Sequence, residues 1–504
     1  MTAFRLHTAI ASAAALLLTG CMVGPKYQKP PALAQAPPAS YKESPSQFPD
    51  QNGWKVAQPQ DAMLHGKWWE IYNDPALNAL EDKLNIDNQT IKQYFENFME
   101  ARTLIAEARS QLYPTVAAGP SYSRTQTSGH VGSAAPSAAI GKQANLFDLP
   151  ADASWVPDLW GKVHNAIRTA QYNAQLSAAD LENERLTEQA SLAIYFFEIR
   201  GQDALQAVFD ATVADDQKSL DYTRAQYETG VGTEISVVEA ENTLQNAQAA
   251  ATNLGVARAQ YEHAIAMLVG TDASSFSIPV KVLDAAPPPV PIGVPSQLLE
   301  RRPDIAGSER TMAAANAQIG IAYAAYYPTL TLSADGGFES SVFGHLLDWS
   351  SRFWSVGPSV SETIYDGGLR RATVNQYIFT YNADVAGYRQ TVLTAFQQVE
   401  DYLAAVRILS QQLQQQQLAA QSAQQFVDLE MARYQTGIDP YIDVVTAQTT
   451  LLSDRQALAT LHTQEMTDSV QLIEALGGGW DSTQLPTPAQ VSMKLTPADT
   501  AIQK

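Results

Sequence analysis

The residue best placed for covalent chemistry is Cys21, the single cysteine among 504 residues. A lone thiol forms no intramolecular disulfide, so its use lies elsewhere. It closes a segment with a basic start at Arg5 and an apolar run from Ala9 to Leu18, ending Leu18-Thr19-Gly20-Cys21. Small residues before such a cysteine mark a bacterial lipoprotein signal: residues 1–20 are removed and Cys21 is acylated. Two or three acyl chains anchor a protein stably to a membrane, where one is marginal. Met22 follows, and the lack of Asp at that place favours the outer membrane over retention in the inner one. Other reactive types are dispersed. Histidines at 7, 65, 130, 164, 263, 345 and 462 show no ligand-like spacing. There is no phosphate-binding loop, no dinucleotide fingerprint after a strand and no cysteine pair for zinc. Arg301-Arg302 reads as pairing with Glu300, Asp304 or a neighbouring helix, and Gly477-Gly478-Gly479 as a helix C-cap. No catalytic residue, metal or cofactor is expected, and no enzymatic activity.

The elements around these residues are dominated by one stretch, Tyr227-Glu-Thr-Gly230-Val-Gly-Thr233-Glu-Ile-Ser-Val-Val-Glu239-Ala, which returns as Tyr434-Gln-Thr-Gly437-Ile-Asp439-Pro440-Tyr441-Ile442-Asp443-Val-Val-Thr446-Ala. Both copies read as tight turns between helices. Gly230 and Gly437 suit the left-handed position after a helix end. Thr233 and Asp439 suit N-caps, and Pro440 the first helical position. Upstream of each turn runs a proline-free helical pattern, Lys162 to Thr229 and Leu369 to Thr436. At 1.5 Å per residue such helices are roughly 100 Å long. Two matched long hairpins suggest a tube or a rod.

Composition narrows the class. Apolar residues make up 45% and charged residues 17%, and the formal charge of −20 argues against a nucleic-acid partner. No stretch after the signal approaches about 20 unbroken apolar residues, so any membrane crossing needs a β-barrel.

Residues 21–67 read as an extended, lipid-anchored arm. Trp68-Trp69 leads to a helix with Asp74 as N-cap and Pro75 at its first position, running to about Leu112. A hairpin is expected at about 115–157, with Val116, Ala118, Pro120 and Tyr122 alternating with small polar residues; its prolines weaken the second strand. The long helix and a shorter one from Thr233 to about Leu268 complete a first unit, 68–285. A proline-rich link opens the second, 286–480. A helix from Ser296 to about Tyr326 is followed by a hairpin at about 329–364, with a loop at Gly336–Ser351 and a strand in which Trp354, Val356, Pro358 and Val360 alternate with Ser and Gly. One apolar face and one small polar face is what a barrel wall between lipid and water needs. A second long helix and a helix from Pro440 to about Leu476 end the unit, and 481–504 reads as a loose polar tail. Four strands close no channel, so partner chains are required, in a number the residues leave open.

The stretch Leu298-Leu299-Glu300-Arg301-Arg302-Pro303-Asp304-Ile305, with Glu309, Ala314-Ala315-Asn316-Ala317 and Ile319-Gly320, resembles the signature of outer-membrane efflux lipoproteins, the NodT/OprM-type members of the TolC superfamily. Cys21-x-x-Gly24-Pro25-x-Tyr27, Trp68-Trp69, Asp74-Pro75 and Ala475-Leu476-Gly477-Gly478-Gly479-Trp480 are similar to that family in the same order. The resemblance implies an α+β membrane protein. Three chains would form a twelve-stranded outer-membrane β-barrel, four strands from each, continuous with a long periplasmic α-helical barrel, two internal repeats per chain. It implies a passive exit duct for drugs or other small molecules. The tips at Gly230, Thr233, Gly437 and Pro440 would dock a periplasmic adaptor linked to an inner-membrane pump of the resistance-nodulation-division type. It also implies a periplasmic gate closed at rest, with Ile442 and Asp443 at the constriction, Asp439 and Tyr441 beside it, and Glu239 contributing where Thr446 lacks a charge. Three Asp443 carboxylates on one axis would repel each other and favour cations. A non-conducting tether and a protein-secretion duct remain as alternatives.

Overall fold

In the computed structural model, residues 22–33, 40–43, 66–126, 128, 143–283, 285–290 and 298–492 are described. Cys21 and the signal segment lie outside them.

A short 3-10 turn, Trp68–Tyr72, buries both tryptophans. Asp74 then accepts from the Ala76 amide at 2.9 Å, and Pro75 opens helix α1 (Pro75–Asp87). The expected single helix to Leu112 is in fact two. The Asn88 side chain accepts from the Ile91 amide at 2.9 Å and so caps a new helix, α2 (Gln89–Ser110). Strands β1 (Thr115–Ala118), β2 (Ser121–Gln126) and β3 (Gln143–Trp155) follow, then α3 (Lys162–Glu228) and α4 (Glu234–Leu268). The helix expected from Ser296 is likewise split, into α5 (Leu298–Arg301) and α6 (Pro303–Ala324). Pro303 has no amide hydrogen to continue α5, and it starts α6 instead, with Arg302 as N-cap. Strands β4 (Thr329–Ser340) and β5 (Arg352–Ser361), helices α7 (Leu369–Gln435) and α8 (Tyr441–Ala475), and a last turn α9 (Pro488–Val491) complete the order. Helices α3 and α7 each have 67 residues, and α4 and α8 each have 35. None of the described helices is long and apolar enough to cross a membrane.

The strands form one antiparallel sheet in which β3 pairs with β1 and β2, β4 with β3, and β5 with β4. Pro150 lies within β3, between the residues paired with Ala118 and Ser121. The break at Gly119-Pro120 between β1 and β2 falls opposite it, so the missing amide of Pro150 interrupts no ladder there. Strand β4 continues through Gly336 and Gly337, which the sequence placed in a loop, to Ser340. The reason is close backbone approach: a Cβ on Gly337 would stand 2.2 Å from the Leu149 carbonyl oxygen of β3.

The main core joins α1, α3, α4, α7 and α8 through residues such as Leu84, Phe196, Ile265, Val399 and Val470. The described parts of the arm, 22–33 and 40–43, and of the tail, 481–492, pack on this body. Tyr41 is buried, and Glu43 pairs with Arg407 at 2.6 Å. In the tail, α9 carries a capping box between Thr487 and Gln490, and Val491 is buried with Ile105, Val163 and Ile167. One apolar anchor and a cap suffice to seat 481–492.

Candidate functional site

Two ends of the molecule carry features beyond packing. At the sheet, the register sorts side chains onto two faces. Across one row Val116, Ala153, Ala334 and Val356 are direct partners; Tyr122 pairs with Phe147, Leu149 with Phe338, and Trp155 with Leu332. This face is open in the chain: Val116, Trp354, Val356 and Val360 are 69–77% exposed. The opposite face is polar. Asp152 stands directly across from Asp335, whose other partner is Ser355, and Asp148 stands across from Glu339. Like charges directly opposite oppose pairing, so this face requires water or counter-ions. The β1/β2 and β5 edges are unpaired among the described residues.

At the other end are the two helix turns. Gly230 and Gly437 both have φ of 75°. At the first, the amides of Gly230 and Val231 bond back to Tyr227 and Gln226, and at the second those of Gly437 and Ile438 bond to Tyr434 and Arg433. This closes the orphan carbonyls of α3 and α7. Thr233 accepts from the Ser236 amide at 3.2 Å, as an N-cap should. Asp439 does not cap. The N-cap of α8 is Pro440, with no side-chain bond, and Asp439 instead forms an ion pair with Arg433 on α7. A bidentate guanidinium–carboxylate pair outcompetes one bond to an amide. Relative to the paired tyrosines, the first turn has Gln226 and Gly232 at these two places, and there Arg224 pairs with Glu241 instead.

On the first turns of α8 the side chains divide. Tyr441 and Val444 are buried, while Ile442 is 48% exposed and Asp443 half-buried. The Thr446 hydroxyl donates to the Ile442 carbonyl at 2.9 Å, so it is spent on its own helix. Tyr441 packs with Tyr434 at 5.2 Å and joins Leu220, Ala240, Leu244 and Val444 in a small core between the two hairpins. Tyr222 stands edge-on to Tyr434 at 6.0 Å. Burial, and then Asp216, push the Tyr441 phenol up. The Arg433 pair holds the Asp439 carboxyl below the usual range. Burial and the nearby Asp439 push Glu430 up. Glu239 acts on Tyr434 and Tyr441 from α4, whereas Asp443 acts on Glu430 and Arg433. The expected acidic residues thus occupy two neighbourhoods. Glu430 and Arg433 were missed; the spacing of Arg433 and Asp439 across the turn was their signal. No cluster of three metal-ligating side chains exists among the described residues.

Between the ends, motifs far apart in sequence grip one another. The Tyr27 hydroxyl donates to Glu309 at 2.9 Å, and the Asn316 amide donates to the Pro25 carbonyl at 3.1 Å. Arg302 forks onto Asp304 and reaches the Ala475 carbonyl at 3.0 Å and the Gln398 side chain at 2.9 Å. The Arg301-Arg302-Pro303-Asp304 stretch therefore ties helix ends together. The glycine run after α8 closes its C-terminus: the amides of Gly477 and Gly478 bond to Glu474 and Ile473.

Comparison with known proteins places these features in a family. A family model described as "Outer membrane efflux protein" matches residues 82–271 and 294–478. The chain is 30% identical over 467 residues to the "Probable efflux pump outer membrane protein TtgC" of Pseudomonas putida, covering 92% of this chain and 94% of that protein. It is 28% identical over 484 residues to "Outer membrane protein OprJ" of Pseudomonas aeruginosa, covering 93% and 95%. The Campylobacter jejuni CmeC outer membrane channel superposes with a TM-score of 0.83 at 21% identity, over 95% of this chain and all 100% of that one, which shows the shared fold.

Proposed function

Since this chain belongs to the outer membrane efflux protein family, we propose that it is the outer-membrane exit duct of a tripartite efflux pump. The family and its relatives are outer-membrane channels of the TolC superfamily, and this chain works in the outer membrane and extends into the periplasm. The observation that carries the duct is the sheet. A surface with an open apolar face, an acidic opposite face and two unpaired edges has one economical solution, closure with further copies into a lipid-embedded, water-filled barrel. Three chains, each giving one broken strand and three whole ones, make a twelve-stranded wall of ordinary width. The paired 67-residue helices continue that wall through the periplasm. The matched element order supports reading 68–285 and 286–480 as two copies of one unit. Cys21 is acylated in this reading and anchors the arm whose Gly24, Pro25 and Tyr27 seat on α6.

The turns at Gly230, Thr233, Gly437 and Pro440 meet a periplasmic adaptor, which joins the duct to an inner-membrane pump of the resistance-nodulation-division type. Ile442 and Asp443 face the axis and close the duct at rest, with Glu239 and Asp439 setting the local charge. Tyr441 supports this gate from behind, because its ring is spent in the core between hairpins. Passage is passive, and the cargo is small molecules. Relatives are named for efflux of toluene and of antibiotics, and the same classes are the first to test. Deleting the gene in its host should raise susceptibility to such compounds, and the wild-type gene should restore resistance. Unchanged susceptibility together with lost export of a protein would favour a secretion duct instead.

A further inference from the structure

The charges of the sheet are sorted by face and by end. Its acids, Asp148, Asp152, Asp335 and Glu339, all stand on the polar face, while its bases, Arg124 of β2 and Arg352 of β5, stand on the apolar one. The register places them there. Arg352 is the direct partner of Phe338, itself paired with Leu149, and Arg124 pairs with Asn145, one row beyond Tyr122 and Phe147 on the same face. Both arginines lie toward the end of the sheet remote from the helices. Both are exposed, and neither has a carboxylate partner among the described residues. A cation on a lipid-facing surface is costly at mid-depth and favourable only where it meets an anion or water.

The apolar face ends where these arginines sit. Tyr122 stacks on Phe147 at 4.7 Å, and Phe343 from the β4–β5 loop meets Phe147 edge-on at 5.4 Å. Beyond this ring band the same face turns polar. The Tyr122 hydroxyl donates to Asn145 at 3.2 Å, Arg124 donates to the Gln143 side chain, and Gln143 donates to Gln126 at 3.3 Å. At the opposite edge the Arg352 guanidinium lies 3.8 Å from the centre of the Trp349 ring, which is 74% exposed. A ring band followed by donors is the profile of a lipid-facing wall where acyl chains give way to headgroups. Guanidinium groups match phosphate oxygens in pairs and stack on aromatic faces.

We propose that this rim binds a phosphorylated glycolipid of the outer leaflet, with Arg124 and Arg352 on its phosphates and the rings of Tyr122, Phe147 and Phe343 along its acyl chains. The inference rests on the barrel reading above, which also completes the site. Closure sets the β5 edge of one copy against the β1/β2 edge of the next, so Arg352 and the neighbouring copy's Arg124 share one face across that seam. The body extends into the periplasm, so the far end of the sheet meets the outer leaflet. The acidic opposite face repels the same phosphates, which keeps the lipid on the outside of the wall.

The test is native mass spectrometry of the full chain, purified as its oligomer, with lipid A and dephosphorylated lipid A as probes. The expected result is saturable retention of lipid A, with the dephosphorylated probe weaker by about tenfold or more. Arg124→Gln and Arg352→Gln should each weaken lipid A by about tenfold, the loss of one charge-assisted contact to phosphate. Phosphatidylglycerol, a phosphate lipid without the glycan, should not displace lipid A at equal concentration. Equal retention of both lipid A forms by a hollow wild-type oligomer would overturn the proposal and leave the duct standing, even if a variant failed to fold. So would displacement by phosphatidylglycerol, or unchanged affinity in both arginine variants. A chain that closes no barrel has no such rim, and would overturn the duct reading with it.

Discussion

Gly24 of the arm and Gly320 of α6 lie in direct backbone contact. A Cβ on Gly24 would stand 2.6 Å from the Cα of Gly320, and the φ of Gly24 is +109°. The contact seats the segment next to Cys21 on the helix that leads into the sheet. It also explains why a glycine-proline-tyrosine motif near one end of the chain accompanies an asparagine-to-glycine motif some 290 residues on. They are the two halves of one joint, completed by the Asn316–Pro25 and Tyr27–Glu309 bonds.

Gly24→Val should unseat the arm, through backbone strain and overpacking, at a cost of about 1–3 kcal/mol. Limited proteolysis of the purified protein checks this: cleavage before Trp68 should accelerate while the helical body keeps its melting behaviour. Equal cleavage rates would show that the arm is held elsewhere.

The Arg433–Asp439 pair makes the second turn acid-sensitive, with a defined sign. Asp439 has its carboxyl pKa depressed in the folded state. Its stabilisation is therefore present above the unfolded value of about 3.9 and lost as pH falls through the folded one. Hydrogen exchange at Ile438 should be faster in Asp439→Asn than in wild type at pH 7, and the two should converge in acid once the depressed carboxyl is protonated. A difference that persists there would mean the pair does not hold the turn.

Tyr434 and Tyr441 join the hairpins, and a double-mutant cycle with leucine at each should return a coupling of about 0.5–1.5 kcal/mol. Thermal unfolding of the four proteins supplies the numbers. Additive effects would place the rings in separate environments.

How much of this was legible in the sequence follows from how local each signal is. The turns were legible because Gly230 and Gly437 answer to backbone geometry within six residues, and Thr233 to a bond three residues away. Asp439 carries the same local signal as Thr233, yet it turns to Arg433, a choice between two partners that spacing alone does not decide. Gly336-Gly337 has the composition of a loop and lies in a strand because β3 approaches so closely, a tertiary fact. Val491 is one of a few scattered apolar residues in a polar tail, so its seat on Ile105 and Ile167 left no periodicity to read. Asp216 carries no local signal that sets it apart from the other acids of α3; its burial follows only from the packing of the helices around it.

Asp216 yields a stability prediction of opposite sign to Asp439. Its pKa is raised by burial to about 6, so ionisation destabilises the folded chain progressively as pH rises from about 4 to 6. Asp216→Asn should raise the melting point of the helical body at pH 8, by an amount corresponding to at most about 3 kcal/mol, and leave it unchanged at pH 4. Equal shifts at both pH values would mean the carboxylate is compensated.

The two faces of the sheet should respond oppositely to charge. Val356→Arg, on the apolar face, should cost about 2–4 kcal/mol and impair membrane insertion, whereas Ser355→Lys, beside Asp335, should insert normally. Membrane fractionation distinguishes them. Normal insertion of both would mean that the apolar face does not meet lipid.

At the gate, Asp443→Ala and Ile442→Ala should each raise single-channel conductance in planar bilayers without dissolving the oligomer. Unchanged conductance would move the constriction off the start of α8.

The central claim is that copies of this chain close one continuous duct. Electron-microscope imaging of the detergent-solubilised protein tests it most directly. The account predicts a hollow cylinder with three-fold symmetry end-on and a length above about 100 Å side-on, set by the rise of the 67-residue helices. A monomer, or a solid rod without a central passage, would contradict it.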